Sequence, residues 1–376
     1  MVKYFMQHQT IFLEVFMSKV DIAKIDKKFD LNENVLDQGL TYYDIPNDNF
    51  ALHGVFRDEK EGFIRLPQSV ANTVSAGVAH LNHDTSGGRL CFSTNSKTFE
   101  IRVTYDYLFP MRHMPVLSSS GFVLCERQGK YHRLHKILPP SFKDELGFTT
   151  KINLKGDKLR NYILYFPLYG RVRTLSIGID TGAKIKPFKA YKDVLPILYY
   201  GSSITQGGCA SRSDNSYQAF IEKKNYIDFI NLGFSGNGKG EKEMIDYLST
   251  INCSLFVSDY NNGVITVDEF KERHPLLYKT FRKAHPTTPI LFLTKTNTFA
   301  PDENDHAERE KIVRSTYEYA LKNGDKNVYF LSGLDMFKKS ELQSVTVDGD
   351  HPTDLGFSLM AKKIYSKMKE ISDIFK

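Results

Sequence analysis

From Phe99 to Tyr107 apolar and polar residues alternate without a break. Phe99, Ile101, Val103, Tyr105 and Tyr107 form one set, with Glu100, Arg102, Thr104 and Asp106 between them. A period of two puts each set on its own face of a half-buried β-strand. Short apolar stretches at 62–67, 87–93, 121–125, 162–166 and 175–179 also read as strands, each bounded by turn residues. Helical periodicity is scarce in this part, so a β-sandwich of jelly-roll type is expected. Residues 20–60 are polar and mixed and read as an exposed lead-in, with strand signals starting near Glu61.

The pattern changes near 185–195. Beyond it, short apolar runs alternate with helical stretches, the mark of a parallel sheet with crossover helices. Strands are expected at 196–201, 228–232, 254–258, 289–293 and 328–331. Helices are expected at 241–248, 304–323 and 353–371. Another opens at the capping box Thr266-Val267-Asp268-Glu269 and runs to about Ala284, with Pro275 inside it as a kink point. In the last helix Met360, Ile364 and Met368 recur every four residues and mark a buried face. The fold class is therefore α/β, a three-layer α/β/α unit behind an all-β sandwich. The boundaries are 1–25 for an N-terminal lead-in, 26–190 for the sandwich and 191–376 for the α/β/α unit.

A chain of 376 residues exceeds one typical core, which agrees with two domains. The net charge of +6 is scattered among acids with no basic stripe, so no nucleic-acid partner is expected. No run is apolar and long enough for a membrane helix, and Gln7, His8, Gln9 and Glu14 interrupt any signal-peptide core. Met17 is an alternative start. Cys91, Cys125, Cys209 and Cys253 have no metal-ligand spacing and read as buried free thiols, which suits a reducing, cytoplasmic setting. The sequence leaves a homo-oligomer open.

The chemistry centres on Pro196-Ile197-Leu198-Tyr199-Tyr200-Gly201-Ser202-Ser203. An unbroken apolar run suits a strand buried on both faces, and a serine just past its C-terminal end sits where open α/β sheets bind ligands. A serine nucleophile needs a base, an orienter for the base and donors for the oxyanion. Asp348 and His351 stand three apart in the glycine-containing loop Asp348-Gly349-Asp350-His351-Pro352, a spacing that lets the carboxylate reach one imidazole nitrogen. Asp350 is the competing orienter, and Ser202 the competing nucleophile.

Gly201-Ser202-Ser203-Ile204-Thr205 resembles block I of the SGNH (GDSL) hydrolases. Asn231-Leu232-Gly233-Phe234-Ser235-Gly236-Asn237-Gly238 resembles block II, and Asp348-x-x-His351 resembles block V. The likeness runs over roughly 195–376 and is nearest to the two-domain members with a β-sandwich in front. It implies Ser203 as nucleophile, His351 as base and Asp348 as its orienter. It also implies an oxyanion hole from the backbone N–H groups of Ser203 and Gly236 and an asparagine side chain. Two departures stand out. Ser202 falls where most members carry Asp, and is expected to brace the loop. Block III is irregular: Ser258-Asp259-Tyr260-Asn261-Asn262-Gly263 offers Asn262 first and Asn261 second as the side-chain donor. Gly233 and Gly238 are expected to serve close backbone packing.

Arg112 and His113 read as a sandwich loop that could also roof the site and touch substrate, and Cys209 as a residue that could line the pocket beside Gly207-Gly208. The resemblance implies a serine esterase for small acyl groups, acetyl above all, on a small-molecule or oligosaccharide substrate. It requires neither metal nor organic cofactor, nor a membrane. The alternatives are an acyltransferase that uses the same acyl-enzyme, and an inert carbohydrate-binding protein.

Overall fold

Two antiparallel sheets from residues 40–187 face each other across one apolar core. The structure is a computed structural model and describes residues 39–108, 111–140, 146–261, 265–296 and 305–376. The elements of this first unit are β1 (Leu40–Asp44), β2 (Ala51–His53), β3 (Phe56–Asp58), β4 (Gly62–Ile64), α1 (Gln68–Val74), α2 (Ala76–Leu81), β5 (Arg89–Thr94), β6 (Thr98–Tyr105), α3 (Val116–Ser120), β7 (Phe122–Gln128), β8 (Tyr131–Leu138), β9 (Gly147–Asn153), β10 (Arg160–Tyr165), β11 (Val172–Asp180) and β12 (Ile185–Pro187). One sheet has the order β1-β11-β6-β9, the other β12-β5-β10-β7-β8 with β2 also on β5.

The alternating strand behaves as its period demands. Phe99, Ile101, Val103 and Tyr105 of β6 enter the core, where they meet Leu90, Phe92, Leu124, Tyr162 and Leu164 of the second sheet. Tyr107 breaks the expectation. The strand ends at Tyr105, and Tyr107 lies beyond it, largely exposed. The central strands β5, β10 and β7 of the second sheet are buried on both faces. Their Cys91, Val123, Cys125, Ile163 and Tyr165 turn away from the sandwich core and pack with Ala190, Tyr191 and Ala219. This is why these strands read as continuous apolar runs rather than alternating ones.

The exposed lead-in needs correction over residues 39–60. β1 pairs with β11 from Leu40 opposite Asp180 to Asp44 opposite Ser176, and β2 pairs with β5. These strands are short and only half-buried, so their composition stays mixed and carries no period. Residues 1–38, with the lead-in 1–25 and the alternative start Met17, lie outside the described residues.

The second unit contains β13 (Ile197–Gly201), α4 (Ser203–Gln206), α5 (Tyr217–Asn225), β14 (Phe229–Gly233), α6 (Lys242–Leu248), β15 (Leu255–Asp259), α7 (Val267–Ala284), β16 (Ile290–Leu293), α8 (His306–Lys322), β17 (Val328–Leu331) and α9 (Asp354–Ile371). Its sheet is parallel in the order β14-β13-β15-β16-β17. Successive residues of β13 alternate between the two flanking layers. Ile197 and Tyr199 join Tyr217, Met360, Ile364 and Met368 on one side. Leu198 and Tyr200 join Met244, Phe270 and Phe281 on the other. The capping box at Thr266 and Glu269 is formed, and α7 continues through Pro275. Among the described residues no helix is long and apolar enough to cross a membrane, and all four cysteines are buried and unpaired.

The two units are bonded through buried charges. Arg65 donates to the carbonyls of Leu81, Asn231 and Gly233 and lies over the Phe234 ring. Arg89, fully buried, donates to the Asp228 carboxylate (2.8 Å) and the Phe229 carbonyl (2.7 Å). His53 contacts the other Asp228 oxygen at 2.7 Å. Both arginines therefore hold β14, the strand that carries the Gly233–Gly238 loop. Ala71 and Val78 of α1 and α2 also pack into the core beneath β13, so these helices support the second unit from the first.

Candidate active site

Strand register brings three loops to one place. Gly201 at the end of β13 lies opposite Gly233 of β14 and Asp259 of β15. Ser203, Ser235 and Asn261 each follow two residues later, so they leave the sheet side by side. The gap between β13 and β15 is where strand order reverses, the usual ligand site of such sheets. The chain must also pass very close here. A Cβ on Gly233 would lie 2.3 Å from the Gln206 nitrogen, and one on Gly238 would lie 2.1 Å from the Gly201 oxygen. Their expected packing role is thus met.

Ser203 opens α4. Its Oγ is 2.9 Å from His351 Nε2, and His351 Nδ1 is 2.7 Å from Asp348 Oδ2. The other Asp348 oxygen accepts the backbone N–H groups of His351 (2.8 Å) and Asp350 (3.0 Å). The loop closes on itself as Val347 donates to the His351 carbonyl. The Asp350 carboxylate does not take the His351 ring in this structure; it pairs with Lys295 at 2.6 Å. Burial alone would raise the Asp348 pKa. The backbone N–H and ring of His351, with the Asp350 N–H, outweigh that and bring it down to about 2.

The segment after the nucleophile does more than wall a pocket. Ser211 N and Asn215 Nδ2 each bond the Asp354 carboxylate at 2.8 Å. Asp354 begins α9, three residues after His351, so this clamp ties the His351 loop to the loop that follows Ser203. Sequence reasoning missed Asp354, since its partners lie some 140 residues upstream and leave no local signal.

Asp259 was also missed. It is fully buried beneath α4 and accepts from Thr205 Oγ1 (3.0 Å) and Tyr217 OH (3.1 Å). Burial outweighs both bonds and pushes its pKa up to about 7. Ser202 does not brace the loop as expected. It is buried, and its Oγ has no hydrogen-bond partner among the described residues.

Of the two asparagines, Asn262 lies outside the described residues. Asn261 is buried, with its Oδ1 unpartnered among the described residues. Gly236 sits in the loop after β14 at a φ of 66°. That loop is held by Gln206, a buried residue of α4 whose Oε1 accepts the Ser235 N–H (2.8 Å). Gln206 Nε2 donates to Asp84 Oδ2 of the sandwich unit (2.9 Å). Gln206→Leu would orphan the Ser235 N–H beside the candidate oxyanion donor. The expected result is a roughly tenfold to hundredfold fall in kcat for p-nitrophenyl acetate at nearly unchanged KM, checked against an unchanged circular dichroism spectrum.

His113 and Cys209 lie close to His351 and Asp348. The His113 and His351 rings lie 5.9 Å apart, and a His113 nitrogen, the Cys209 sulfur and an Asp348 oxygen fall within 4.8 Å of one another. Cys209 has a φ of 72°, a left-handed conformation that costs a non-glycine residue about 1–3 kcal/mol and clusters at functional sites. Burial, then the charges of Asp348 and Asp350, push its thiol up to about 12, so it is not itself a nucleophile. Arg112 is exposed, with no hydrogen bond or ion pair among the described residues.

A cavity of about 730 Å³ opens between the two units, lined from the sandwich unit by His80, Asp84, Tyr107, Met111, Tyr169 and Arg171 and from the other by Ser235 and Asn237. A side chain on Gly208 would meet the Tyr169 hydroxyl at 3.0 Å and His351 Cδ2 at 3.2 Å, so Tyr169 stands close to His351.

Residues 194–369 match the GDSL-like lipase/acylhydrolase family, and residues 40–185 match the N-terminal region of SGNH-hydrolase-type esterases. The chain belongs to the SGNH/GDSL hydrolases. A protein from Bacteroides ovatus ATCC 8483 assigned as a GDSL-like lipase shares 28% identity with this hydrolase at a TM-score of 0.80, covering 89% of this chain and 98% of its own. The salicylyl-acyltransferase SsfX3 from a tetracycline biosynthetic pathway has 16% identity and a TM-score of 0.72, covering 88% and 97%. An acetyl xylan esterase from the rumen bacterium Butyrivibrio proteoclasticus has 11% identity and a TM-score of 0.55, covering 90% and 100%. No curated protein matches the sequence. The family makes this SGNH/GDSL hydrolase an enzyme of the carboxylic-ester type.

Proposed function

We propose that this hydrolase is a serine esterase that removes small acyl groups, acetyl in particular, from carbohydrates through an acyl-enzyme on Ser203. The observation that carries the reading is the continuous hydrogen-bond chain from Ser203 Oγ through the His351 ring to Asp348, at 2.9 and 2.7 Å. Ser203 Oγ bonds to the ester carbonyl carbon as its proton passes to His351 Nε2. The oxyanion is held by the N–H groups of Ser203 and Gly236 and an asparagine side chain, Asn261 or Asn262. The alcohol departs with the proton from His351. Water then gives a proton to His351 and attacks the acyl-enzyme, the acid leaves, and Ser203 Oγ regains a proton.

Two features support the substrate class. The cavity between the two units has room for a sugar and carries Tyr107, Asn237 and Arg171 on its walls. The fold is shared with an acetyl xylan esterase. The experiment is incubation with acetylated oligosaccharides, read by mass spectrometry for loss of 42 Da per acetyl group. Deacetylated products are the expected result. Intact substrate, together with no labelling of Ser203 by a fluorophosphonate, would overturn the reading. Transfer of the acetyl group to an added alcohol in preference to water would replace it with an acyltransferase.

A further inference from the structure

Arg171 is the cation on the wall of the inter-domain cavity, and its compensation is incomplete. Its Nε is 3.8 Å from Asp84 Oδ1, too far for a hydrogen bond. The Asp84 carboxylate is already engaged by the Gln206 amide through its other oxygen. One guanidinium NH2 meets the neighbouring His80 ring, which brings no negative charge. Its remaining donors have no hydrogen-bond partner among the described residues. The exposed Tyr107 ring lies 5.4 Å from the guanidinium carbon and flanks it. Arg171 follows Tyr169 by two residues, and Tyr169 adjoins His351 across Gly208.

We propose that this cavity receives the alcohol half of the ester, and that this half is an anionic sugar whose carboxylate or phosphate is bound by Arg171. The inference rests on the esterase reading for the word ester, but the binding site does not depend on turnover. A half-buried guanidinium with open donors favours a planar or tetrahedral oxyanion over a neutral hydroxyl. Burial, opposed by Arg65, the Gln206 bond and Arg171, pushes Asp84 up to about 7, so Asp84 is not a full counter-ion near neutrality. Burial and the Arg171 charge hold His80 below the usual histidine range, so His80 stays neutral and its ring nitrogen accepts from Arg171. A bound anion would complete a charge that the cavity leaves only partly balanced.

The test uses sugars that carry no acyl group, so it is independent of catalysis. Methyl glucuronoside, glucose 6-phosphate and methyl glucoside are titrated into the wild-type protein by calorimetry at low salt. At least one anionic sugar is expected to bind about tenfold tighter than methyl glucoside, the size of one charge-assisted hydrogen bond, and to weaken with added salt. Which of the two wins tells carboxylate from phosphate. Arg171→Gln is expected to erase the preference, and Arg171→Lys to restore part of it. Equal binding of all three sugars, no binding of any, or a preference that survives Arg171→Gln overturns the proposal. Failure of the esterase reading would show instead as intact acetylated substrate, whatever these titrations give.

Discussion

Ser203→Ala is expected to lower kcat for p-nitrophenyl acetate roughly a millionfold, to the level set by binding and the oxyanion donors alone. Its Oγ makes the bond to His351 Nε2 at 2.9 Å. The side chain is only half-buried, so its loss orphans no deeply buried group, and the thermal midpoint should move by only a few degrees. Ser202 is the natural control. Its Oγ is buried without a partner among the described residues, so Ser202→Ala removes an uncompensated hydroxyl and should be neutral or slightly stabilising, with turnover kept. The pair separates the two adjacent serines. Turnover that survives in Ser203→Ala but disappears in Ser202→Ala would move the nucleophile by one residue and break the hydrogen-bond chain argued above.

The strand before Ser203 and the Asp-x-x-His loop were legible because each is a local signal. Ile197 to Tyr200 fill both flanking cores, so no polar residue interrupts them, and Asp348 reaches His351 within one turn of chain. All five strands of the parallel sheet and its long helices fall within two residues of expectation for the same reason. Helix α5 was missed. Most of it is buried, polar Gln218, Glu222 and Asn225 included, so no apolar stripe stands against a polar face. The glutamate is spent on Tyr165 of the sandwich, at 2.7 Å.

What ties the units together was illegible as a class. Arg65 sits just after β4 and Arg89 opens β5, yet their partners are the backbone of β14 and the carboxylate of Asp228 just before it, more than 130 residues on. Asp84 and Gln206 likewise meet only in the folded chain. Spacing within a sequence reports contacts along one element, and these are contacts between domains. Their consequence is functional. The strand they grip carries the loop with Gly236, so the sandwich holds part of the oxyanion hole proposed here.

Asp348→Asn is expected to lower kcat about ten-thousandfold, with a small change in KM. In the native loop Asp348 Oδ2 accepts the Nδ1 proton, which leaves Nε2 free to take the proton of Ser203. The other oxygen is bound to two backbone N–H groups. An asparagine must keep its oxygen on those donors and so turns its NH2 toward Nδ1. The ring then carries its proton on Nε2 and cannot act as base. The pH profile separates this from simple loss of charge. The folded Asp348 pKa of about 2 lies below its ordinary 3.8. Its stabilising contribution is therefore complete above the ordinary value and is lost only as pH falls through about 2. Asp348 is ionised at every pH from 5 to 9, so its protonation cannot shape the native profile there. The deficit of Asp348→Asn should accordingly persist across that range, because the tautomer is wrong at each pH. Asp350→Asn, whose carboxylate faces Lys295, should stay within a few-fold of wild type. A deficit below tenfold in Asp348→Asn, or a larger one in Asp350→Asn, would assign the orienting role to the wrong carboxylate.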